Sequence, residues 1–269
     1  MEPRPKDGDT CSMLFTDTQL IAWISGYFLP FVRIAAALTV APIFSARLVP
    51  MRIRLLLALG LTIIIAPLLP QAPLAQPFSS TGLLTIFQQV LIGLIIGAVL
   101  QMVFDAMVVA GQTAAMSMGL GFAFMIDSQR GVSVPVLSQF FLVMTTLVFL
   151  AIDGHLAFIQ LLADSFVMMP VGATGISQEG IWATTLWGGK LFAGAMLVAL
   201  PAVGALLVVN FSFGVMSRAA PTLNLFAVGF PITLTIGFVI IMWSLPGLQT
   251  ATLSMTADAF RFLGELLAG

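Results

Sequence analysis

Apolar residues run along this chain in long blocks, separated by short links rich in proline, glycine or arginine. The long blocks fall at about 20–44, 53–69, 83–109, 134–152, 181–209 and 225–245. Most approach the roughly 20 apolar residues that an α-helix needs to cross a bilayer's hydrocarbon core. A shorter run at 156–169 reads as a re-entrant or buried helix rather than a span. The link PQAPLAQPFSS at 70–80 carries three prolines, which cannot continue a helix. The link SARLVPMRIR at 45–54 carries Arg47, Arg52 and Arg54 against no acid, which predicts a cytoplasmic loop and an N-terminus on the opposite side. With six spans the link NFSFGVMSRAAPTLN at 210–224 puts Arg218 on that same cytoplasmic side, whereas a crossing at 156–169 would put it outside.

The pattern predicts an all-α, polytopic membrane protein of about six long apolar helices. A membrane barrel would instead show short segments of alternating apolar and polar residues. Composition agrees: of 269 residues 59% are hydrophobic and 8% charged, with a mean hydropathy of +1.10, against roughly a quarter charged in soluble domains. The net charge is −1 and no long basic run occurs, so nothing points to nucleic acid. Residues 1–12, MEPRPKDGDTCS, form a polar tail without the apolar centre of a signal peptide, and Met13 is an equally good start.

Candidate chemistry is sparse. One cysteine, Cys11, and one histidine, His155, allow neither an intrachain disulfide nor a histidine or thiolate metal cluster. No serine lies in a hydrolase signature. Gly119 and Gly121 make a GxG, but Phe124 occupies the third glycine position of a dinucleotide fingerprint and no strand precedes it. His155 beside Asp153 is a weak signal for a proton shuttle. The chain is therefore expected to be no enzyme, with no catalytic, metal or cofactor residues.

Three charges fall inside apolar blocks: Arg33, Asp105 and Lys190. Each costs roughly 2.5 to 3.5 kcal/mol on insertion scales and calls for a partner or water. Asp105, near the end of its block, can reach the interface. Lys190, roughly 15 Å into its helix, is the better candidate for an internal pair. Small residues recur at helical spacing: Gly93 and Gly97, then Ala106, Ala110 and Ala114, with Gly111 and Ala115 on the adjacent stripe. Such rows allow close helix approach, either within the chain or against another subunit.

The stretch MSMGLGFAFMID at 116–127 is apolar yet interrupted by glycine. Methionine moulds itself to irregular neighbours, glycine permits sharp turns, and phenylalanine supplies bulk for an apolar constriction. Irregular backbone at membrane depth is tolerated where protein buries it or water lines it. The stretch therefore suits either the interior of a pore or a loop folded onto its own bundle.

Four runs carry more than periodicity: RIAAALTVAPIFSARLVPMRIRLLLAL from Arg33, GLGFAFMIDSQRGVSVPVLSQF from Gly119, FLAIDGHLAFIQLLADSFVMMP from Phe149, and NFSFGVMSRAAPTLNLFAVGFPIT from Asn210. In order, and from about residue 13 onward, they resemble the FliR/SctT family of flagellar and virulence type III secretion export proteins. The resemblance implies a FliP-like helical part at 13–180, with a pore-plug loop at 111–131, and a FliQ-like helical hairpin with a C-terminal tail at 181–269. It implies a bacterial inner-membrane protein of the flagellar basal body that forms, with FliP and FliQ, the export gate for unfolded flagellar proteins and contacts FlhB. Met116, Met118, Gly119, Gly121, Phe122, Phe124 and Met125 are the expected plug residues. Gly93, Gly97, Ala106, Ala110 and Gly111 are the expected helix-packing residues, and Arg218, Pro221 and Asn224 the cytoplasmic bend of the hairpin. Ser128 and Leu156 depart from the family pattern, which expects proline and histidine there. Two other classes compete: a small-solute secondary transporter, opposed by the scarcity of buried acids, and a membrane-bound enzyme, for which no constellation is present.

Overall fold

The computed structural model describes residues 24–46, 49–69, 79–121, 136–172, 175–219 and 225–269. Among them the chain is helical throughout and contains no strand. The helices are α1 (Leu29–Val40), α2 (Met51–Ile65), α3 (Ser80–Ser117), α4 (Val136–Ala151), α5 (Gly154–Met168), α6 (Gln178–Ala219) and α7 (Leu225–Ala268). A π-helical turn, Ile24–Phe28, leads into α1, and a 3-10 turn, Ala66–Leu68, ends α2.

The all-α membrane architecture is as the apolar blocks predict, but the six-span count is not. Among the described residues four helical stretches are long and apolar enough to cross a bilayer: Met51–Leu68, Ser80–Ser117, Gln178–Arg218 and Gly229–Ala268. Helices α4 and α5 qualify only as a pair bent by 67°, which makes at most five. Of the block at 20–44, the described residues form an apolar helix, Gly26–Val40, which ends where Pro42 and the left-handed Ile43 (φ 68°) turn the chain. The fourth block fails alone because α4 stops at Ala151, where Asp153 also adopts a left-handed backbone (φ 55°) and Gly154 starts α5.

Three helices are longer than their apolar blocks. With 38, 42 and 44 residues, α3, α6 and α7 extend about 57, 63 and 66 Å, roughly twice the hydrocarbon core. The expected C-terminal tail is in fact the last part of α7. Pro246 does not end that helix, and beyond it Leu248, Thr252, Thr256, Ala259, Leu263 and Leu267 form a buried stripe at three- and four-residue spacing. Local caps set the starts. Ser79 Oγ accepts from the Gly82 amide at 3.1 Å before α3, and Ser177 Oγ accepts from the Gly180 amide at 3.1 Å before α6.

Helix α3 is the axis of the molecule, packing against α1, α4, α6 and α7. Its N-terminal half presents Ile92, Ile96, Val99, Leu100 and Phe104 to a core shared with α1 and α5. Its C-terminal half presents Ala106, Met107, Ala110, Ala114 and Ala115 to α4 and the α6–α7 hairpin. There α6 answers with Ala195, Ala199, Ala202 and Leu206, a stripe at helical spacing. The outside is apolar as well: Trp243 is 85% exposed, Leu197 75% and Phe211 73%. Such a surface is stable only against lipid or other protein.

Candidate functional site

The described part of the expected plug segment begins as the C-terminal cap of α3. The Leu120 amide donates to the Ala115 carbonyl at 3.1 Å and the Gly119 amide to the Met116 carbonyl at 3.1 Å. This is the hydrogen-bond pair of a Schellman motif, with Gly119 at the left-handed position (φ 81°) where a glycine costs least. Met118 is fully buried. It fills the space over Gly237 of α7, where a Cβ would meet its Cε and Cγ at 2.7 Å. Met116 is exposed and lays its sulfur beside Gly121, 2.9 Å from where a Cβ would stand. Gly119 faces the Phe230 ring of α7. Thus Met118 belongs to the chain's own core, the half-buried Gly119–Gly121 turn lies against it through Leu120, and Met116 faces outward at the end of α3. Phe122, Phe124 and Met125 lie outside the described residues.

The small-residue row sits within the chain. A Cβ on Gly93 would fall against the Arg33 carbonyl oxygen and 3.0 Å from the Ala37 nitrogen; one on Gly97 would lie 2.6 Å from the Ala37 carbonyl oxygen. Both glycines let α1 lie against α3 backbone to backbone. Gly111 does the same for α4, with Ser138 Cα 2.8 Å from its missing Cβ, and Ala106 and Ala110 are fully buried. At the other end of the hairpin, Arg218 is exposed in the last turn of α6, where a cation suits the negative helix end. Pro221 and Asn224 lie outside the described residues.

The three charges in apolar blocks behave differently from one another. Lys190 is exposed on the outer side of α6, away from the stripe of Trp187, Ala195 and Ala199, so the internal pair expected of it is not formed. Asp105 is exposed and accepts from Gln101 Nε2 at 2.9 Å. Arg33 is the charge that is fully buried. Its Nε donates to Gln89 Oε1 at 2.7 Å, Nη1 to the Ser165 carbonyl at 2.9 Å and to Ser165 Oγ at 3.2 Å, and Nη2 to the Met169 carbonyl at 2.9 Å. The guanidinium carbon stands 4.2 Å from the Phe166 ring centroid.

No carboxylate takes part in those contacts. The charge is instead compensated by charge-assisted hydrogen bonds of about 1.5–3 kcal/mol each, by the negative C-terminal end of α5 and by the ring face. Together these are enough to offset the insertion cost of roughly 3 kcal/mol for one arginine. Sequence reasoning singled out Arg33 as needing partners but not which ones. Gln89, a buried amide in an apolar block, was the available signal; the two backbone carbonyls of α5 carry none.

The arrangement offers little for catalysis. Among the described residues no three of histidine, cysteine, aspartate and glutamate gather as a metal site. Asp153 is exposed, and His155 Nδ1 is buried without a hydrogen-bond partner among the described residues. An open apolar groove of about 700 Å³ lies between α6 and α7, walled by Leu197, Pro201, Ile240, Trp243 and Gly247.

Comparison with known proteins gives a consistent picture. The family described as "Bacterial export proteins, family 1" matches residues 24–259. The flagellar biosynthetic protein FliR of Pectobacterium carotovorum subsp. carotovorum is 36% identical over 95% of this chain and 97% of its own length. FliR of Escherichia coli K12 is 35% identical over 94% and 97%, and FliR of Aquifex aeolicus 32% identical over 87% and 89%.

Proposed function

Because the chain belongs to the bacterial export proteins of family 1, we propose that it is a core subunit of the flagellar type III export gate in the bacterial inner membrane. It is a membrane-embedded protein of the flagellar export family, similar along nearly its whole length to flagellar biosynthetic proteins. In the finer reading it forms, with FliP and FliQ, the pore through which unfolded flagellar proteins leave the cytoplasm, and meets FlhB on the cytoplasmic side. The FliP-like part is 13–180 and the FliQ-like hairpin 181–269.

The observation that carries this reading is the α6–α7 hairpin. Its helices run about twice the hydrocarbon thickness; α6 shows large apolar side chains outward along its length, from Ile181 through Leu197, Leu207 and Phe211 to Met216, and α7 shows them from Phe230 to Trp243. Lipid covers only the part inside the bilayer, so the remainder calls for other protein chains. In this reading Met116, Gly119 and Gly121, with Phe122, Phe124 and Met125 after them in the sequence, supply the plug. A secondary transporter is disfavoured, since the buried polar residues among those described include Arg33, Gln89 and hydroxyls but no carboxylate to couple an ion.

The test is assembly and leakage. The chain should co-isolate in mild detergent with FliP-like and FliQ-like proteins, and replacing 119–122 with a flexible polar linker should increase ion leakage through the reconstituted assembly. Unchanged conductance would sink the plug, and a chain that purifies alone and takes up solute would sink the gate.

A further inference from the structure

We propose that Arg33 is the positioning residue for the crossover at 165–178, through which the α1–α5 bundle hands over to the α6–α7 hairpin. Helix α5 ends where Arg33 takes the Ser165 and Met169 carbonyls. Past that point Gly175 lies directly on α3: a Cβ there would meet Gln88 Cγ at 2.9 Å and Cδ at 3.0 Å. Gln88 adjoins Gln89, the residue that accepts from Arg33 Nε. Consecutive glutamines of α3 therefore serve one junction, one receiving the arginine and the other lying under the chain that the arginine directs. Beyond it, the first turn of α6 touches the last turn of α7, with Leu266 Cδ1 3.0 Å from the missing Cβ of Gly180. The path from bundle to hairpin is thus pinned at three successive points.

The chemistry explains why an arginine stands there. Its planar fork reaches α3 through Nε and α5 through both terminal nitrogens at once; a lysine, a point donor on a flexible stem, cannot hold all three directions. The residues it joins, Gln89 of α3 and Ser165 of α5, lie 56 and 132 residues away in sequence, so the contact fixes long-range geometry. Its consequence for the hairpin's entry into an export assembly rests on the gate reading above.

The experiment compares wild type with Arg33→Met, Arg33→Lys and Gln89→Leu in the full chain, by amide hydrogen exchange in lipid nanodiscs and by co-isolation with FliP-like and FliQ-like proteins. Arg33→Met should speed exchange at 166–178 by about tenfold or more while α3 amides near 95–110 hold, because a local opening needs no global unfolding. Arg33→Lys should fall between it and wild type, and Gln89→Leu should show a smaller local rise. Co-isolation should weaken in the same order at equal membrane levels of chain. Unchanged exchange at 166–178, a rise spread evenly over all helices, full rescue by lysine, or a local rise with undiminished co-isolation would each overturn the proposal. If Arg33→Met does not accumulate in membranes, the lysine and Gln89 variants decide by the same criteria. Failure of the wild-type chain to co-isolate would count against the gate, and the exchange pattern would still judge Arg33.

Discussion

Gly93 and Arg33 meet twice over. The glycine admits the Arg33 carbonyl oxygen to the surface of α3, and Gln89, one helical turn before Gly93, receives the Arg33 side chain at 2.7 Å. Close backbone approach and a buried cation are thus parts of one arrangement: α1 must lie this near α3 for the guanidinium to reach its acceptors.

Gly93→Ala should therefore be among the more damaging single substitutions in the bundle. The added methyl has backbone on the other side, with Ala37 N at 3.0 Å and the Arg33 carbonyl nearer still, so the helices must part. Overpacking of this kind costs about 1–3 kcal/mol, and parting the helices lengthens the Arg33–Gln89 bond as well. Thermal unfolding in mild detergent should show a clear loss for Gly93→Ala and none for Gly60→Ala, whose Cβ would meet nothing within 4 Å.

A different physics applies at Gly119. Its nearest neighbour, the Phe230 ring, would stand 3.6 Å from a Cβ, which is ordinary contact, so space is not limiting. The backbone is: φ is 81°, and a left-handed residue with a Cβ costs roughly 1–2 kcal/mol. Gly119→Ala should loosen the cap of α3, seen as faster exchange of the Gly119 and Leu120 amides. Gly119→Asn should be milder, since asparagine tolerates that conformation.

The sequence pattern made the helical class, the order of the long helices and the small-residue rows legible, because each depends on side-chain spacing along one element. Helix ends were less so. Asp105 lay near an apparent block end, yet it sits within α3 on an exposed face, and the last block ended near 245 whereas α7 runs on to Ala268. The fourth block broke at Asp153, whose left-handed backbone nothing in its apolar surroundings announces. Of the candidate site, the glycine cap of α3 was visible in GLG. The inward burial of Met118 was not, since it depends on Gly237, more than a hundred residues away. Likewise two of the four acceptors of Arg33 are main-chain carbonyls, which every residue owns.

Lys190 and Asp105 should matter little to the chain's own stability. Both are exposed, and Asp105 has a single exposed hydrogen bond, from Gln101. Surface changes away from special features stay within about 0.5 kcal/mol. Lys190→Gln and Asp105→Asn should therefore unfold with wild type in detergent. A large loss for Lys190→Gln would mean that it finds an internal partner after all.

The outer face of the hairpin distinguishes lipid from protein as its cover. Leu207 is 68% exposed and Phe211 73% on α6, one turn apart and so on the same side of the helix. A helix about 63 Å long extends well beyond a hydrocarbon core of about 30 Å, and apolar side chains left in water there would drive association. A cysteine at Leu207 or Phe211 should react with a membrane-permeant thiol reagent when the chain is expressed without its proposed partners. Co-expression with FliP-like and FliQ-like proteins should protect it, by about tenfold or more for a face packed to interior density. Protection at both positions, with Met51 of α2 labelling alike in both conditions when changed to cysteine, would assign this face to protein. Equal labelling with and without partners would assign it to lipid, and the hairpin would then lose its claim to be the face that enters the assembly.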